Sequence, residues 1–125
     1  MDHRPFGRRE ALGVEGGPAA VETLAAEARE DHGVMFVPAF TGLGAPWWRA
    51  EARGALFGLT RDSGLAEMAA AAFDSAAWQT DDLVEAMRRD APEAFGPAAV
   101  LRIDGGMSRS SRFPQRLADL TGLPV

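Results

Sequence analysis

The sequence predicts an α/β layered fold, and three observations carry that expectation. Segments with helical periodicity alternate with short, continuously apolar runs. Each apolar run is cut off by proline or glycine, at Pro38 and at Gly105-Gly106. The apolar fraction of 46% in 125 residues suffices for one modest core, so a single domain is expected.

Residues 1–17 are rich in charge and glycine and predict an irregular N-terminal segment; 18–125 form the folded domain. Val21, Leu24, Ala25 and Ala28 keep helical spacing from Pro18 to about Glu30, and Gly33 is placed to cap that helix in a left-handed conformation. Val34-Met35-Phe36-Val37 reads as a buried strand. Residues 38–54 hold Gly42, Gly44, Pro46 and Gly54 around Phe40, Trp47 and Trp48, which excludes a regular helix. Two readings of that stretch stand, a substrate lid on glycine hinges or a loop buttressed on the core by its tryptophans, and the second is favoured. Ala55 to Leu59 predicts a second short strand, with Asp62 or Ser63 capping the next helix.

That helix is the clearest element, from about Gly64 to Arg89. Leu65, Met68, Ala72, Phe73, Ala76, Thr80, Leu83, Val84 and Met87 mark its expected inward face. Asp74, Asp81, Asp82 and Glu85 lie opposite, as a solvated face rather than a Mg²⁺ site. Trp78 lies on that side too and predicts a second packing surface that buries it. Val100-Leu101-Arg102-Ile103 predicts a third strand, buried and ending at Asp104-Gly105-Gly106. A last helix runs from about Ser110 to Leu120, with Phe113, Leu117 and Leu120 inward and Gly122 and Pro124 as stop signals. Val125 resembles the opening of another strand. Three or four strands with three helices make an incomplete sheet whose edges need covering.

The chemistry legible in these residues is narrow. A net charge of −5 without a basic stripe argues against nucleic acid and anionic membranes as partners. Without cysteine there is no disulfide or thiolate chemistry, and His3 and His32 are isolated, so no metal ligands are assigned. The opening residues lead into no apolar stretch, and the longest apolar run, 68–73, cannot span a bilayer; a cytoplasmic protein is expected. The Asp104-Gly105-Gly106 turn can bring backbone N–H groups close to a phosphate or an adenine, beside a helix N-terminus and Ser108, Ser110 and Ser111. From those residues alone, a plain tight turn with a serine cap is the stronger reading.

Taken in order, the pieces become specific. Val37 to Trp48 (VPAFTGLGAPWW) and Ala52 to Thr60 (ARGALFGLT) closely resemble the glycerol kinases of the FGGY family. Gly54 to Asp74 is similar to that family's second signature: Gly-x-apolar-x-Gly-Leu, then Glu67-Met68 and Ala71-Ala72-Phe73-Asp74. Gln79-Thr80 and Ile103-Asp104-Gly105-Gly106 match in position, and the resemblance covers about 9–125. It implies a partial actin-like (ribonuclease-H-like) ATPase domain, the C-terminal half of a two-domain sugar kinase, truncated at both ends. It implies ATP and Mg²⁺ as cofactors and phosphorylation of glycerol to glycerol 3-phosphate. Gly42-Leu43-Gly44-Ala45-Pro46 favours glycerol, since pentulose kinases usually carry a Gly-Glu-Arg type sequence there. By the resemblance, Gly105 and Gly106 lie against the adenine nucleotide, and Ser110 occupies a position where many glycerol kinases have an asparagine contacting it. Arg49-Ala50 replaces the common Asp-Pro. The family's general base, phosphate hairpin and glycerol contacts lie in an N-terminal kinase domain with no counterpart here, so no catalytic residue is assigned and the chain alone is expected to be inactive. The alternatives are another FGGY kinase acting on a pentulose or polyol, or a non-catalytic remnant; the oligomeric state, a homo-oligomer included, stays open.

Overall fold

The computed structural model describes residues 16–125, so most of the expected irregular segment 1–17, with His3, lies outside the described residues. Helix α1 (Pro18–Ala26) is followed by strands β1 (Met35–Val37) and β2 (Ala55–Phe57), helix α2 (Leu65–Asp90), 3-10 turns at Pro92–Phe95 and Gly106–Arg109, and helix α3 (Arg112–Thr121). Among the described residues the sheet has two antiparallel strands, with Phe36 opposite Leu56. Helix α2 is the axis, and α1, α3 and β1 all pack on it.

Helix α1 stops four residues short of the expected Glu30. Beyond Ala26 the backbone tightens into bonds spanning three residues, Glu27 to Leu24 and Ala28 to Ala25. The Arg29 N–H then donates to Glu67 Oε1 on α2 (3.4 Å) instead of to its own helix. Gly33 does adopt the left-handed region (φ +65°), but it turns the chain into β1 and caps nothing.

Helix α2 is one continuous element of 26 residues, as expected. Neither Asp62 nor Ser63 caps it. Ser63 Oγ instead accepts the Thr60 N–H (2.9 Å), and Glu67 reaches back from the first turn to accept the Gly64 N–H at 2.8 Å. Backbone N–H donors, that of Gly64 first, hold the Glu67 carboxyl below its ordinary 4.5. Arg88 and Arg89 complement the dipole at the other end.

The inward face of α2 is set by alanine rather than by its largest side chains. Phe73 and Val84 are buried as expected, together with Ala69, Ala70, Ala71 and Ala77, but Leu65, Leu83 and Met87 are exposed, which corrects the expected stripe at those three. Close approach of helices on two sides favours small residues at the contact. Val21 and Ala25 of α1 meet Ala69, Ala70 and Phe73; Phe113 and Leu117 of α3 meet Ala77. Gly122, expected as a stop signal, does end α3, and it does so in the left-handed region (φ +67°).

Two expectations fail for one reason. Residues 100–103 form no strand, although Leu101 and Ile103 pack on the Ala77–Phe113–Leu117 cluster while Val100 and Arg102 are exposed. The alternation is that of a strand, but among the described residues no neighbour supplies a ladder, and the Leu101 N–H donates to the Pro124 carbonyl (2.8 Å). In the same way β1 is only partly buried, with Met35 54% exposed on a sheet of two strands.

The loop over 38–54 is closed by reciprocal backbone bonds between Leu43 and Arg49 (2.8 and 2.9 Å). Its tryptophans do not rest on the core: Trp47 is 57% and Trp48 76% exposed. The tether is polar: the Trp47 indole N–H donates to Asp82 Oδ2 on α2 (3.1 Å).

Candidate functional site

The expected site residues come together in the turn between residues 100–103 and α3. Asp104 Oδ1 accepts the Gly105 N–H (2.6 Å), and Gly105 takes φ +95°, a conformation that favours glycine. Ser108 closes the turn by donating both its Oγ–H (2.6 Å) and its N–H (3.2 Å) to the Gly105 carbonyl. Gly105 and Gly106 are exposed, and a Cβ added at either would meet nothing within 4 Å. The pair therefore presents open, accessible backbone.

Ser110 lies at the back of this turn rather than on its open face. It is buried, and its Oγ–H donates to Glu22 Oε1 of α1 at 2.8 Å. The same Oγ accepts the N–H groups of Arg112 (3.1 Å) and Phe113 (3.3 Å), satisfying first-turn donors of α3. Glu22 Oε1 also accepts from Ser111, through its N–H (3.0 Å) and its Oγ–H (3.2 Å). The Ser110 bond is the largest influence holding the Glu22 carboxyl below its ordinary 4.5. Sequence reasoning missed Glu22, since a contact across 88 residues leaves no local signal.

A separate groove of about 780 Å³ runs between α2, the 28–38 segment and α3, with Asp74, Trp78, Gln79, Asp82, Arg112 and Arg116 among its walls. Gly105, Gly106 and Ser110 are not among its lining residues. Asp74, expected on a solvated face, is buried between two guanidinium groups: Arg112 Nε at 3.3 Å from Oδ1 and Arg116 Nη2 at 3.7 Å from Oδ2. The spacing of Arg112 and Arg116 by one helical turn was the available signal. Trp78 finds its second packing surface in Arg116, whose Cζ lies 5.9 Å from the ring centroid, but 41% of Trp78 stays exposed and the expected burial is not reached.

Three further acidic groups of α2 have identified surroundings. Asp82 holds Trp47, Glu85 pairs with Arg88 (2.7 Å), and desolvation, then Glu85 and Asp82, push the Asp81 carboxyl up. His32 Nδ1 accepts the Val34 N–H at 3.0 Å. Among the described residues, no three His, Cys, Asp or Glu side chains group to hold a metal, and no helix is long and apolar enough to cross a membrane.

Comparison with known proteins gives a consistent result. The C-terminal domain of the FGGY family of carbohydrate kinases is matched over residues 6–125. Glycerol kinases of Xanthobacter autotrophicus and Allorhizobium ampelinum are 55% and 53% identical over 117 residues, 94% of this chain and 23% of each relative. The crystal structure of Plasmodium falciparum glycerol kinase with ADP superposes with a TM-score of 0.78 at 30% identity, over 92% of this chain and 22% of that one. The chain thus spans less than a quarter of the relatives it matches.

Proposed function

The chain belongs to the FGGY family of carbohydrate kinases, with the actin-like fold of that family's C-terminal domain, and we propose that it supplies part of the nucleotide surface of a glycerol kinase. The parent enzyme would transfer the γ-phosphoryl group of ATP to glycerol, giving glycerol 3-phosphate, mainly by alignment and charge neutralisation. The observation that carries this reading is the open Gly105-Gly106 backbone, in a chain that is 50% and 55% identical over 117 residues to relatives named glycerol kinase. Glycerol is supported over a pentulose by the Gly42-Leu43-Gly44-Ala45-Pro46 loop, tethered to α2 through Trp47.

Gly105 and Gly106 would present their main chain to the adenine nucleotide, and an unobstructed glycine pair fits that task. Ser110 would serve the site through its bond to Glu22 and its contacts at the start of α3, not through a free hydroxyl. The described residues offer no ligand set for Mg²⁺, so the cation is assigned to the nucleotide phosphates and to groups beyond this chain.

Titration of the isotope-labelled chain with MgADP at millimolar concentration, with amide chemical shifts as the readout, tests the assignment. Shifts are expected at Gly105 and Gly106 and none with glycerol. Gly106→Val is expected to weaken MgADP binding about tenfold or more, as its side chain would occupy the approach of the ring at a cost on the order of 1.4 kcal/mol. Unchanged affinity in the variant would remove Gly106 from the site.

A further inference from the structure

We propose that Glu22 is a positioning residue for the nucleotide turn, a role that rests on Gly105 and Gly106 being the nucleotide surface. Residues 104–109 close mainly on themselves, through the bonds of Asp104 to Gly105 and of Ser108 to Gly105. Such local bonds shape a turn without fixing its place on the body. Leu101 and Ile103 anchor its upstream end and Met107 its middle on the core clusters, and the Glu22 carboxylate holds Ser110 and Ser111 at its downstream end.

Glu22 is suited to the task by its neighbours on α1. Val21 and Ala25 are buried against Ala69, Ala70 and Phe73 of α2, so the carboxylate projects from a fixed helix. One oxygen, Oε1, gathers three donors from the far side of the turn: the Ser110 Oγ–H, the Ser111 N–H and the Ser111 Oγ–H. Ser110 is buried, and its Oγ is at the same time the acceptor for the Arg112 and Phe113 N–H groups. Loss of the carboxylate would leave that hydroxyl free to rotate and would loosen the start of α3. Gly106 lies four residues upstream in the same continuous turn. Glu22 touches no reacting group; it sets where the glycine surface stands relative to α1 and α2.

The test compares Glu22→Ala, Glu22→Gln and the unsubstituted chain by amide hydrogen exchange and by MgADP titration. In Glu22→Ala, the amides of residues 105–112 are expected to exchange about tenfold faster, as fits removal of hydrogen bonds to a charged acceptor. Protection across 69–84 is expected to stay unchanged, and MgADP affinity to fall about fivefold or more in step with the exchange. Glu22→Gln keeps an oxygen acceptor at the same reach and is expected to restore most of both. If Glu22→Ala fails to fold, Ser111→Ala, which deletes one of the three contacts, is expected to show a smaller change of the same kind. Exchange unchanged in Glu22→Ala overturns the proposal, as does faster exchange with unchanged MgADP affinity. An unsubstituted chain that gives no MgADP shifts at Gly105 and Gly106 contradicts the nucleotide reading itself and removes the positioning role with it; the exchange data still report separately whether Glu22 ties down the turn.

Discussion

The 125-residue chain, purified away from host kinases and given Mg-ATP and glycerol, is expected to form no glycerol 3-phosphate. Phosphoryl transfer depends on holding the attacking hydroxyl, a base and the γ-phosphoryl group in near-attack geometry, and losing that alignment costs on the order of 10⁵-fold or more. Asp104 is spent on the Gly105 N–H, Glu22 lies behind the turn on Ser110 and Ser111, and Asp74 is held by Arg112 and Arg116. The Asp81 carboxyl is pushed up, but by burial and by its own helix neighbours Glu85 and Asp82. The chain corresponds to 23% of the length of its relatives, and the resemblance puts the base and the glycerol pocket outside that share. Coupled detection of glycerol 3-phosphate is the assay. Turnover above a no-enzyme control, persisting through repurification, would contradict the expectation.

Gly58→Ala is expected to destabilise the fold by about 3 kcal/mol, on the order of a third of the stability of a domain this size. Gly58 has φ +75°, and a Cβ built there would collide with the Gly33 carbonyl oxygen. Left-handed backbone in a residue with a side chain costs about 1–2 kcal/mol, and forcing atoms into a filled space about 1–3 more. The collision is with main chain, which cannot turn aside as a side chain would. Gly33→Ala is the internal control: its φ of +65° is equally unfavourable, but its Cβ would meet nothing within 4 Å. A loss of only about 1 kcal/mol is expected there. Urea midpoints of the two variants compare the costs. Equal shifts would show that the hairpin relaxes around the added methyl group. The difference also explains why the second glycine of Gly54-x-apolar-x-Gly58-Leu59 has to be glycine: β2 must pass against the Gly33 backbone as it leaves the sheet.

Elements that depend on their own residues were legible in the sequence. The α2 helix, the inward Phe113 and Leu117 of α3 and the stop at Gly122 all arise from periodicity and local backbone preference. Elements that depend on a neighbour were not. Residues 100–103 carry strand composition and alternating burial but lack the ladder that makes a strand. The expected face of α2 holds at Phe73 and Val84 but not at Leu65, Leu83 and Met87, because two flanking helices select the side rich in alanine. Asp74 passed for a solvated acid because its partners lie 38 and 42 residues further along the chain. The glycine turn was legible as a turn, yet its attachment through Glu22 was not, since hydrogen bonds between distant side chains leave no periodicity. The tryptophans of the 38–54 loop suggested apolar anchoring, but the anchor is one indole N–H on a carboxylate.

The most direct measurement of the central claim is made in a chimera. This chain would replace the 117 aligned residues of the Xanthobacter autotrophicus glycerol kinase. If it is the nucleotide-bearing part of such an enzyme, the chimera will bind ATP and form glycerol 3-phosphate at a rate within about tenfold of the unaltered enzyme, a loss on the order of 1.4 kcal/mol in barrier height. A chimera that folds and binds glycerol but does not bind ATP would contradict the assignment.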